Sequence, residues 1–295
     1  MTKVVLVTGG NAGLGFQCCL ALAQQPNTHV LLAGRDQQRV HDAAEQVRAV
    51  AHASSLVEEG VVDLSSLASV RDFCCGLRKR RLQIFTIVCN AGVQLKSKTL
   101  TADGFETTFA TNHLGHFLMV EMLRAQTQRV LMMSSETHDP AEKTGLPPPK
   151  MSNLDQLAHG LEPYDGLEAY ASSKLCNVMF ALECVRRCGP EIVAYTPGFT
   201  PGTGLFRETN GILWAVVSKL ISAYLYVVGG RSSTPEYSGG IMAQIASVDK
   251  LSDKNWDTGM YIRVDVPHEP SAQAKDEALA KALWDKSLEW VKPFM

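Results

Sequence analysis

Short runs of β-branched and other apolar residues alternate with longer stretches of helical periodicity over the first two thirds of the chain. The runs with strand character are residues 4–8, 29–34, 57–63, 84–90, 129–135 and 191–196, with a last one at 258–264. The helical stretches are residues 14–25, 37–52, 66–79, 104–124, 168–188 and 272–291. Strands that alternate with helices pair in parallel through right-handed crossovers. The pattern therefore predicts an α/β fold with a doubly wound parallel sheet.

The first strand runs directly into a glycine-rich loop, Thr8-Gly9-Gly10-Asn11-Ala12-Gly13-Leu14-Gly15. Glycines let the backbone turn tightly and approach a pyrophosphate, which then lies on the amides at the N-terminus of the next helix. The run stands between a strand and a helix, which is the context that a dinucleotide-binding motif requires. We therefore predict a Rossmann-type fold. The residues that we expect to bind the cofactor here are Gly9, Asn11, Gly13, Leu14 and Gly15.

The end of the second strand indicates which nicotinamide cofactor is bound. An acidic residue at this place would accept hydrogen bonds from the ribose 2′-hydroxyl of NADH, and the chain has Gly34 instead. Arg35 can pair with the 2′-phosphate of NADPH through its planar guanidinium. Asp36 either neutralises Arg35 or faces a hydroxyl itself. The sequence favours NADP(H), with Arg35 at the phosphate.

Ligands of parallel sheets bind beyond the carboxyl ends of the strands. The third strand ends in Asp63 and Leu64, which we expect to meet the adenine. The fourth ends in Asn90, Ala91 and Gly92, whose small size allows close approach to the nicotinamide ribose. Both groups are predicted to contact the cofactor.

Tyr170 and Lys174 are four residues apart in a helical stretch and therefore share a face of the helix. A phenol has a pKa near 10, which is too high for acid–base catalysis at neutral pH. A neighbouring ammonium favours the phenolate, so we expect Lys174 to lower the pKa of Tyr170. A hydroxyl at the end of the fifth strand, from Ser134 or Ser135, could polarise a substrate carbonyl.

These motifs, in this order, resemble those of the short-chain dehydrogenase/reductase family over roughly residues 1–200. The resemblance implies that Tyr170 is the general acid/base, that Lys174 also holds the nicotinamide ribose and that Ser135 is the catalytic serine. It implies that Asn112 holds a water that links Lys174 to solvent. It also implies cofactor contacts after the sixth strand, from Pro197, Gly198 and Thr200. We interpret the nearby His113 and His116 as structural.

Further motifs look like those of the light-dependent protochlorophyllide oxidoreductases, a branch that shares features with retinol-dehydrogenase-like members. They are Pro147-Pro148-Pro149-Lys150 with Asn153-Leu154-Asp155, the spacing Tyr170-x-x-Ser-Lys-x-Cys-Asn177, and Thr203-Gly204-Leu205-Phe206-Arg207. The chain departs from the photoenzymes at Phe199, where they have a functional cysteine, and in a shorter connection between Ser135 and Tyr170. Both departures oppose light-driven chlorin reduction and leave hydride transfer in the dark intact.

An apolar stretch at residues 211–228 interrupts the alternation of strands and helices. It is shorter than the roughly 20 residues that a membrane span needs and contains Lys219. We interpret it as a cover over an apolar substrate, and its character also suits peripheral contact with a membrane surface. Without a repeat or linker, residues 1–295 are predicted to form one domain: a cofactor-binding and catalytic core (1–198), a substrate-covering segment (199–240), and a closing strand and helices (241–295).

The balance of charge argues against nucleic acid as a partner. There are 28 Lys and Arg against 30 Asp and Glu, a net charge of −2, so no basic field would attract a phosphate backbone. The eight cysteines show no metal-ligand spacing, so we expect free thiols and no metal. A strand-like run from Val4 leaves no room for a targeting segment, which indicates a cytoplasmic protein. Monomer and homo-oligomer both remain open.

The leading hypothesis is an NADPH-dependent oxidoreductase that transfers a hydride to a bulky apolar carbonyl, or catalyses the reverse alcohol oxidation. A second hypothesis is reduction of a ring double bond, as in the photoenzyme branch. A third is a protein that binds NADPH as a sensor, although a sensor has no need of Ser135, Tyr170 and Lys174. Serine hydrolysis is less favoured than any of these, because the chain has no G-x-S-x-G motif.

Overall fold

The computed structural model describes residues 2–142, 144–201 and 232–295. Within these ranges one sheet has the strand order β3-β2-β1-β4-β5-β6-β7-β8. The strands are β1 Lys3–Thr8, β2 Thr28–Gly34, β3 Leu56–Val61, β4 Ile84–Cys89, β5 Thr127–Met133, β6 Glu191–Thr196, β7 Tyr261–Arg263 and β8 Val266–His268. All neighbours pair in parallel except β7 and β8. The predicted doubly wound parallel sheet is confirmed.

Helices cover both faces of the sheet. They are α1 Gly13–Ala23, α2 Gln37–Ala49, α3 Leu67–Lys79, α4 Thr107–Phe109, α5 Gly115–Leu123, α6 Leu154–His159, α7 Gly166–Arg186, α8 Pro235–Ser247 and α9 Glu277–Val291. A π-helical turn, Ala110–Leu114, joins α4 to α5. The core on one face includes residues of α3, α5, α7 and α9, and the core on the other includes residues of α1, α2 and α8. The strand order reverses between β1 and β4, which opens a crevice at their carboxyl ends.

Two predicted helices begin later than their apolar patterns suggest. The stretch 104–124 becomes helical only at Thr107, because Gly104 has φ +85° and Glu106 caps the helix. The Glu106 carboxylate accepts from the backbone amides of Thr108 (2.8 Å) and Phe109 (2.7 Å). The stretch 272–291 becomes helical at Glu277, after Asp276 accepts from the Leu279 amide. Side-chain capping fixes both starts.

Helix α8 crosses the predicted boundary at residue 240. It begins at Pro235, runs through residue 240 and packs against α1 as part of the core, while the division of the domain into segments stays a prediction. The predicted cover at 211–228 and the motif at 203–207 lie outside the described residues. On either side of that gap, Phe199 and Ser232 form a parallel bridge, and the Ser233 amide donates to the Phe199 carbonyl at 3.0 Å. None of the described helices combines the length and apolar character of a membrane span.

Candidate active site

The glycine-rich loop is packed against the ends of β1 and β4 so closely that side chains have no room. A Cβ on Gly15 would lie 2.4 Å from the carbonyl oxygen of Gly9 and 2.5 Å from Nδ2 of Asn90. Gly9 and Gly13 have φ angles of +64° and +55°, which favour glycine. The side-chain amide of Asn90 donates to the backbone carbonyl of Thr8 at 2.8 Å, so Asn90 fixes the position at which the loop begins.

The start of α1 differs from that of its neighbours. Ala12 occupies its N-cap position without a side-chain hydrogen bond, and its first turn has no acidic residue. In contrast, Asp36, Ser66 and Asp165 cap α2, α3 and α7 through their side chains. The first amides of α1 are therefore available to an anion, and the positive end of the helix dipole favours one. The donor set and the crowded glycines fit the pyrophosphate of a dinucleotide.

At the end of β2, an acidic side chain of the kind that NADH-binding proteins use would have to displace two neighbouring side chains. A Cβ on Gly34 would lie 2.6 Å from Oδ1 of Asn11 and 2.9 Å from a methyl group of Val40. Asp36 accepts from the Arg39 amide at 2.9 Å and caps α2, so it is committed to the backbone. Arg35 is exposed beside it. The sequence had left the role of Asp36 open, and this contact favours the helix cap.

Other predicted cofactor residues lie at the same carboxyl edge. Asp63 follows β3 and accepts from the amide (2.9 Å) and hydroxyl (2.7 Å) of Ser65, while Leu64 is buried. A Cβ on Gly92 would lie 3.2 Å from Oδ1 of Asn112 and 3.6 Å from Nζ of Lys174. The missing side chain at Gly92 therefore leaves room next to the Lys174 ammonium.

The segment after β6 completes this edge. Gly198 has φ +69°, and the Thr200 hydroxyl lies 3.3 Å from the carbonyls of both Pro197 and Gly198. The neighbouring strand continues into Ser134, whose amide donates to the Tyr195 carbonyl at 2.7 Å. The predicted residues Pro197, Gly198 and Thr200 are thus adjacent to the serine pair after β5.

Helix α7 brings Tyr170 and Lys174 beneath this edge. The Tyr170 side chain hydrogen-bonds with Ser135, and Nζ of Lys174 lies 5.4 Å from the centre of the tyrosine ring. Ser134 donates to the backbone carbonyl of Lys174 at 3.0 Å and is therefore directed to the helix. Of the two serines, Ser135 is the one that faces the phenol.

The pKa values of this pair differ from the expectation that Lys174 lowers that of Tyr170. Burial raises the pKa of Tyr170 to about 12, and the hydrogen bond with Ser135 lowers it. Burial lowers the pKa of Lys174 to about 8. Desolvation disfavours both charged forms, and for Tyr170 it exceeds the effect of the hydrogen bond with Ser135. Tyr170 is consequently protonated at neutral pH, which is the form that can donate a proton to a substrate.

Asn112 is bound on every side by the protein. Its side chain accepts from the Val93 amide (2.8 Å) and donates to the Val93 carbonyl (3.0 Å) and the Ser173 hydroxyl (2.9 Å). Its backbone carbonyl accepts from Nδ2 of Asn177 (3.1 Å) and Nδ1 of His116 (3.1 Å). A carbonyl has two lone pairs, and these two side chains are donors to them. The water expected at Asn112 stays a prediction.

Sequence reasoning did not assign a role to Asn177 and interpreted His116 only as structural. Asn177 lies three residues after Lys174 on the same helix, and this spacing places it on the face that carries the catalytic pair. His116 connects the Asn112 carbonyl to Thr8, whose hydroxyl lies 2.9 Å from its Nε2. Thr8 in turn accepts from the amides of Asn90 (2.9 Å) and Ala91 (3.1 Å). Hydrogen bonds therefore connect the glycine-rich loop to the catalytic helix.

Two buried histidines predict how stability depends on pH. Burial lowers the pKa values of His113 and His116 to about 4, against about 6.5 in an unfolded chain. Between pH 6.5 and 4 the unfolded chain binds more protons, so the free energy of unfolding falls as the pH falls. Each histidine should contribute on the order of 1–3 kcal/mol to this loss. We expect the melting temperature of His113→Gln to fall less between pH 7 and pH 5 than that of the unsubstituted protein; parallel curves would contradict this.

Comparison with known proteins gives several matches. A family model described as short chain dehydrogenase matches residues 3–139. The WW domain-containing oxidoreductase of Gallus gallus is 32% identical over 97% of this chain and 67% of its own length. Protochlorophyllide reductase A, chloroplastic, of Oryza sativa subsp. japonica is 30% identical over 96% of this chain and 79% of its own length.

The fold also has a match among solved structures. A putative uncharacterized protein from Mycobacterium paratuberculosis superposes with a TM-score of 0.72 at 28% identity. The match covers 98% of this chain and 93% of the other. The first strands, the glycine-rich loop and the catalytic helix are therefore part of an architecture shared along the whole chain.

Proposed function

This chain belongs to the short-chain dehydrogenases, NAD(P)-dependent oxidoreductases, and we propose that it reduces a bulky apolar carbonyl compound with NADPH or oxidises the corresponding alcohol. The observation that carries the proposal is the protonated phenol of Tyr170, bonded to Ser135 and adjacent to Lys174 at the edge where the glycine-rich loop ends. A protonated acid, a hydroxyl donor and a cation at one place are the groups that a carbonyl reduction needs.

Ser135, Tyr170 and Lys174 have different roles in the proposed reaction. NADPH, when bound, supplies the hydride that the carbonyl carbon accepts. The hydroxyl of Ser135 and the phenol of Tyr170 both donate hydrogen bonds to the carbonyl oxygen, and Tyr170 transfers its proton to that oxygen. Lys174 stabilises the phenolate that remains, because it is a cation 5.4 Å from the ring in a buried place.

The preference for NADPH is supported by the end of β2. A side chain at Gly34 would have to displace Asn11 and Val40, Asp36 is occupied as a helix cap, and Arg35 is exposed beside it, where we expect the 2′-phosphate. A charge-assisted contact of this kind contributes about 1.5–3 kcal/mol.

Arg35→Ala should therefore weaken NADPH binding by about ten- to a hundredfold and leave NADH binding within about twofold. Titration of each nucleotide by its fluorescence measures both constants. Arg78→Ala is the matched control. Arg78 is an arginine in the last turn of α3 and lines a surface cleft with Arg124 and Gln126, which are not among the predicted cofactor residues. Equal losses for both nucleotides would contradict the assignment of Arg35.

The apolar nature of the substrate is proposed from the composition of residues 211–228. The ring-reducing alternative is favoured by the relative named protochlorophyllide reductase A, and Phe199, in place of the photoenzyme cysteine, opposes it. If the protein reduces carbonyl compounds, as proposed, its turnover needs no light.

The experiment that separates these functions is NADPH oxidation with a panel of hydrophobic aldehydes and ketones in the dark, and with chlorins under illumination. We expect turnover of at least one carbonyl compound in the dark. Turnover of chlorins alone, and only in light, would replace the proposal with ring reduction. Tight NADPH binding with no turnover in either arm would favour a nucleotide sensor.

A further inference from the structure

One amide side chain touches the three segments that carry the catalytic residues. Asn177 is 1% exposed on α7, the helix of Tyr170 and Lys174. Its Nδ2 donates to the carbonyl of Met133 at 2.9 Å and to the carbonyl of Asn112 at 3.1 Å. Met133 ends the strand that leads to Ser135, and Asn112 belongs to the π-helical turn.

The contact with Met133 is shared with the catalytic lysine. Nζ of Lys174 donates to the same carbonyl oxygen at 3.3 Å. The oxygen therefore sits between the ammonium of Lys174 and the amide of Asn177, and a shift of either donor moves the strand end relative to the helix. We propose that Asn177 is a positioning residue that sets where the Lys174 ammonium stands relative to Tyr170; the proposal rests on the acid–base role of Tyr170 given above.

The orientation of the Asn177 amide is fixed by a chain of buried groups. Both of its N–H bonds point at carbonyl oxygens, so its Oδ1 can only accept, and Nδ1 of His113 lies 3.3 Å away. His113 is neutral because burial lowers its pKa to about 4, so the ring proton is on Nδ1 and Nε2 accepts. The Ser287 hydroxyl, on α9, is the donor 3.2 Å from Nε2. This series of hydrogen bonds thus connects Met133 to α9.

A titratable group other than Tyr170 also faces Lys174. Burial lowers the pKa of His116 to about 4, and the Lys174 ammonium lowers it further. The ring of His116 is hydrogen-bonded to the Asn112 carbonyl that Asn177 also contacts. His116 is therefore neutral above about pH 5, and changes of the kcat profile near or above neutral pH report on Lys174 rather than on this histidine.

The informative substitution is Asn177→Leu, which keeps the size of the side chain and removes the donors. Thr86→Ala is the matched control, since the buried Thr86 hydroxyl donates to the Ala246 carbonyl at 2.7 Å and touches none of the catalytic residues. Both variants lose a buried hydrogen bond to the backbone, so both should melt at a lower temperature. Only Asn177→Leu should change the site.

The primary measurement is the pH dependence of kcat between pH 6 and 10, with the carbonyl compound found by the panel. The ammonium of Lys174, whose pKa burial lowers to about 8, is the group whose loss of a proton should reduce kcat at the alkaline end. We expect the pH at which kcat falls to move down by about one unit in Asn177→Leu and to stay at the wild-type value in Thr86→Ala, because only the first disturbs the Met133 carbonyl that accepts from the ammonium. With the carbonyl compound found by the panel, kcat should fall about ten- to a hundredfold while NADPH affinity changes less than about threefold.

Ser287→Ala provides a second test if Asn177→Leu does not fold. It leaves Asn177 in place but removes the hydroxyl that hydrogen-bonds to His113, so kcat should fall about two- to fivefold and the alkaline pKa of the kcat profile should move in the same direction as in Asn177→Leu. Wild-type values of the pKa and kcat in both folded variants, with Tyr170→Phe inactive, would overturn the assignment of Asn177 alone. Full turnover in Tyr170→Phe would overturn the proposed function, and the Asn177 proposal with it.

Discussion

Replacement of Tyr170 by Phe is expected to lower kcat by about 10²- to 10⁴-fold, the range in which a positioned general acid contributes. The variant loses the phenol oxygen, which hydrogen-bonds with Ser135 and carries the proton to be transferred. It keeps the aromatic ring, which is buried in a residue that is 7% exposed. Folding should be preserved because the phenol is replaced by an apolar group of nearly the same shape. Steady-state rates of NADPH oxidation measure the loss.

NADPH affinity provides the control for this substitution. The phosphates of the nucleotide are assigned to the glycine-rich loop and Arg35, which this substitution leaves unchanged, so the dissociation constant of Tyr170→Phe should stay within about threefold of the wild-type value. Ser135→Ala should show the same division between rate and binding, with a smaller loss of rate. Retention of more than about a tenth of the wild-type kcat in Tyr170→Phe would contradict the acid role.

Gly15→Ala is expected to have the second largest effect, on stability and on NADPH binding, because the new methyl group would overlap with neighbouring backbone atoms. Its Cβ would lie 2.4 Å from the Gly9 carbonyl oxygen, a backbone atom that moves only with the loop. Overpacking of this kind costs about 1–3 kcal/mol of stability. The displaced loop should also weaken NADPH binding by more than about tenfold, as measured by fluorescence titration.

Gly76→Ala is the control for this substitution. Gly76 is exposed within α3, and a Cβ there would meet nothing within 4 Å. Alanine is a better helix former than glycine, so this variant should be more stable by about 0.5–1 kcal/mol and bind NADPH normally. Equal behaviour of the two variants in stability and binding would show that the loop is not close-packed.

The sheet and most helices could be predicted because periodicity reports directly on burial. Helix α8 was missed since Gly239 and Gly240 weaken its helical pattern. A Cβ on Gly239 would lie 2.4 Å from Cβ of Gln17, so the glycine is there to let α8 approach α1. Thr234 and Pro235, an N-cap followed by proline at the first position, were the signal that could have found this helix.

The site was predictable as far as residue types and their spacing determine it. Ser135 lies at the carboxyl edge of the sheet because it follows a parallel strand, and the four-residue spacing of Tyr170 and Lys174 places both on one face of α7. The direction of the Tyr170 pKa shift was wrong, because a sequence shows a neighbouring charge and does not show how completely both groups leave water. The partners of the Asn112 carbonyl were equally hidden, since they depend on how α7 packs against the π-helical turn.

The measurement that tests carbonyl reduction most directly is the fate of the hydride. The protein is incubated in the dark with NADPH that carries deuterium at the transferred position of C4 and with a carbonyl compound that it turns over, and the product is examined by mass spectrometry. We predict one deuterium on the carbinol carbon of the alcohol, formed by the wild type and not by Tyr170→Phe. Deuterium at a carbon of a reduced double bond, with the carbonyl intact, would contradict carbonyl reduction.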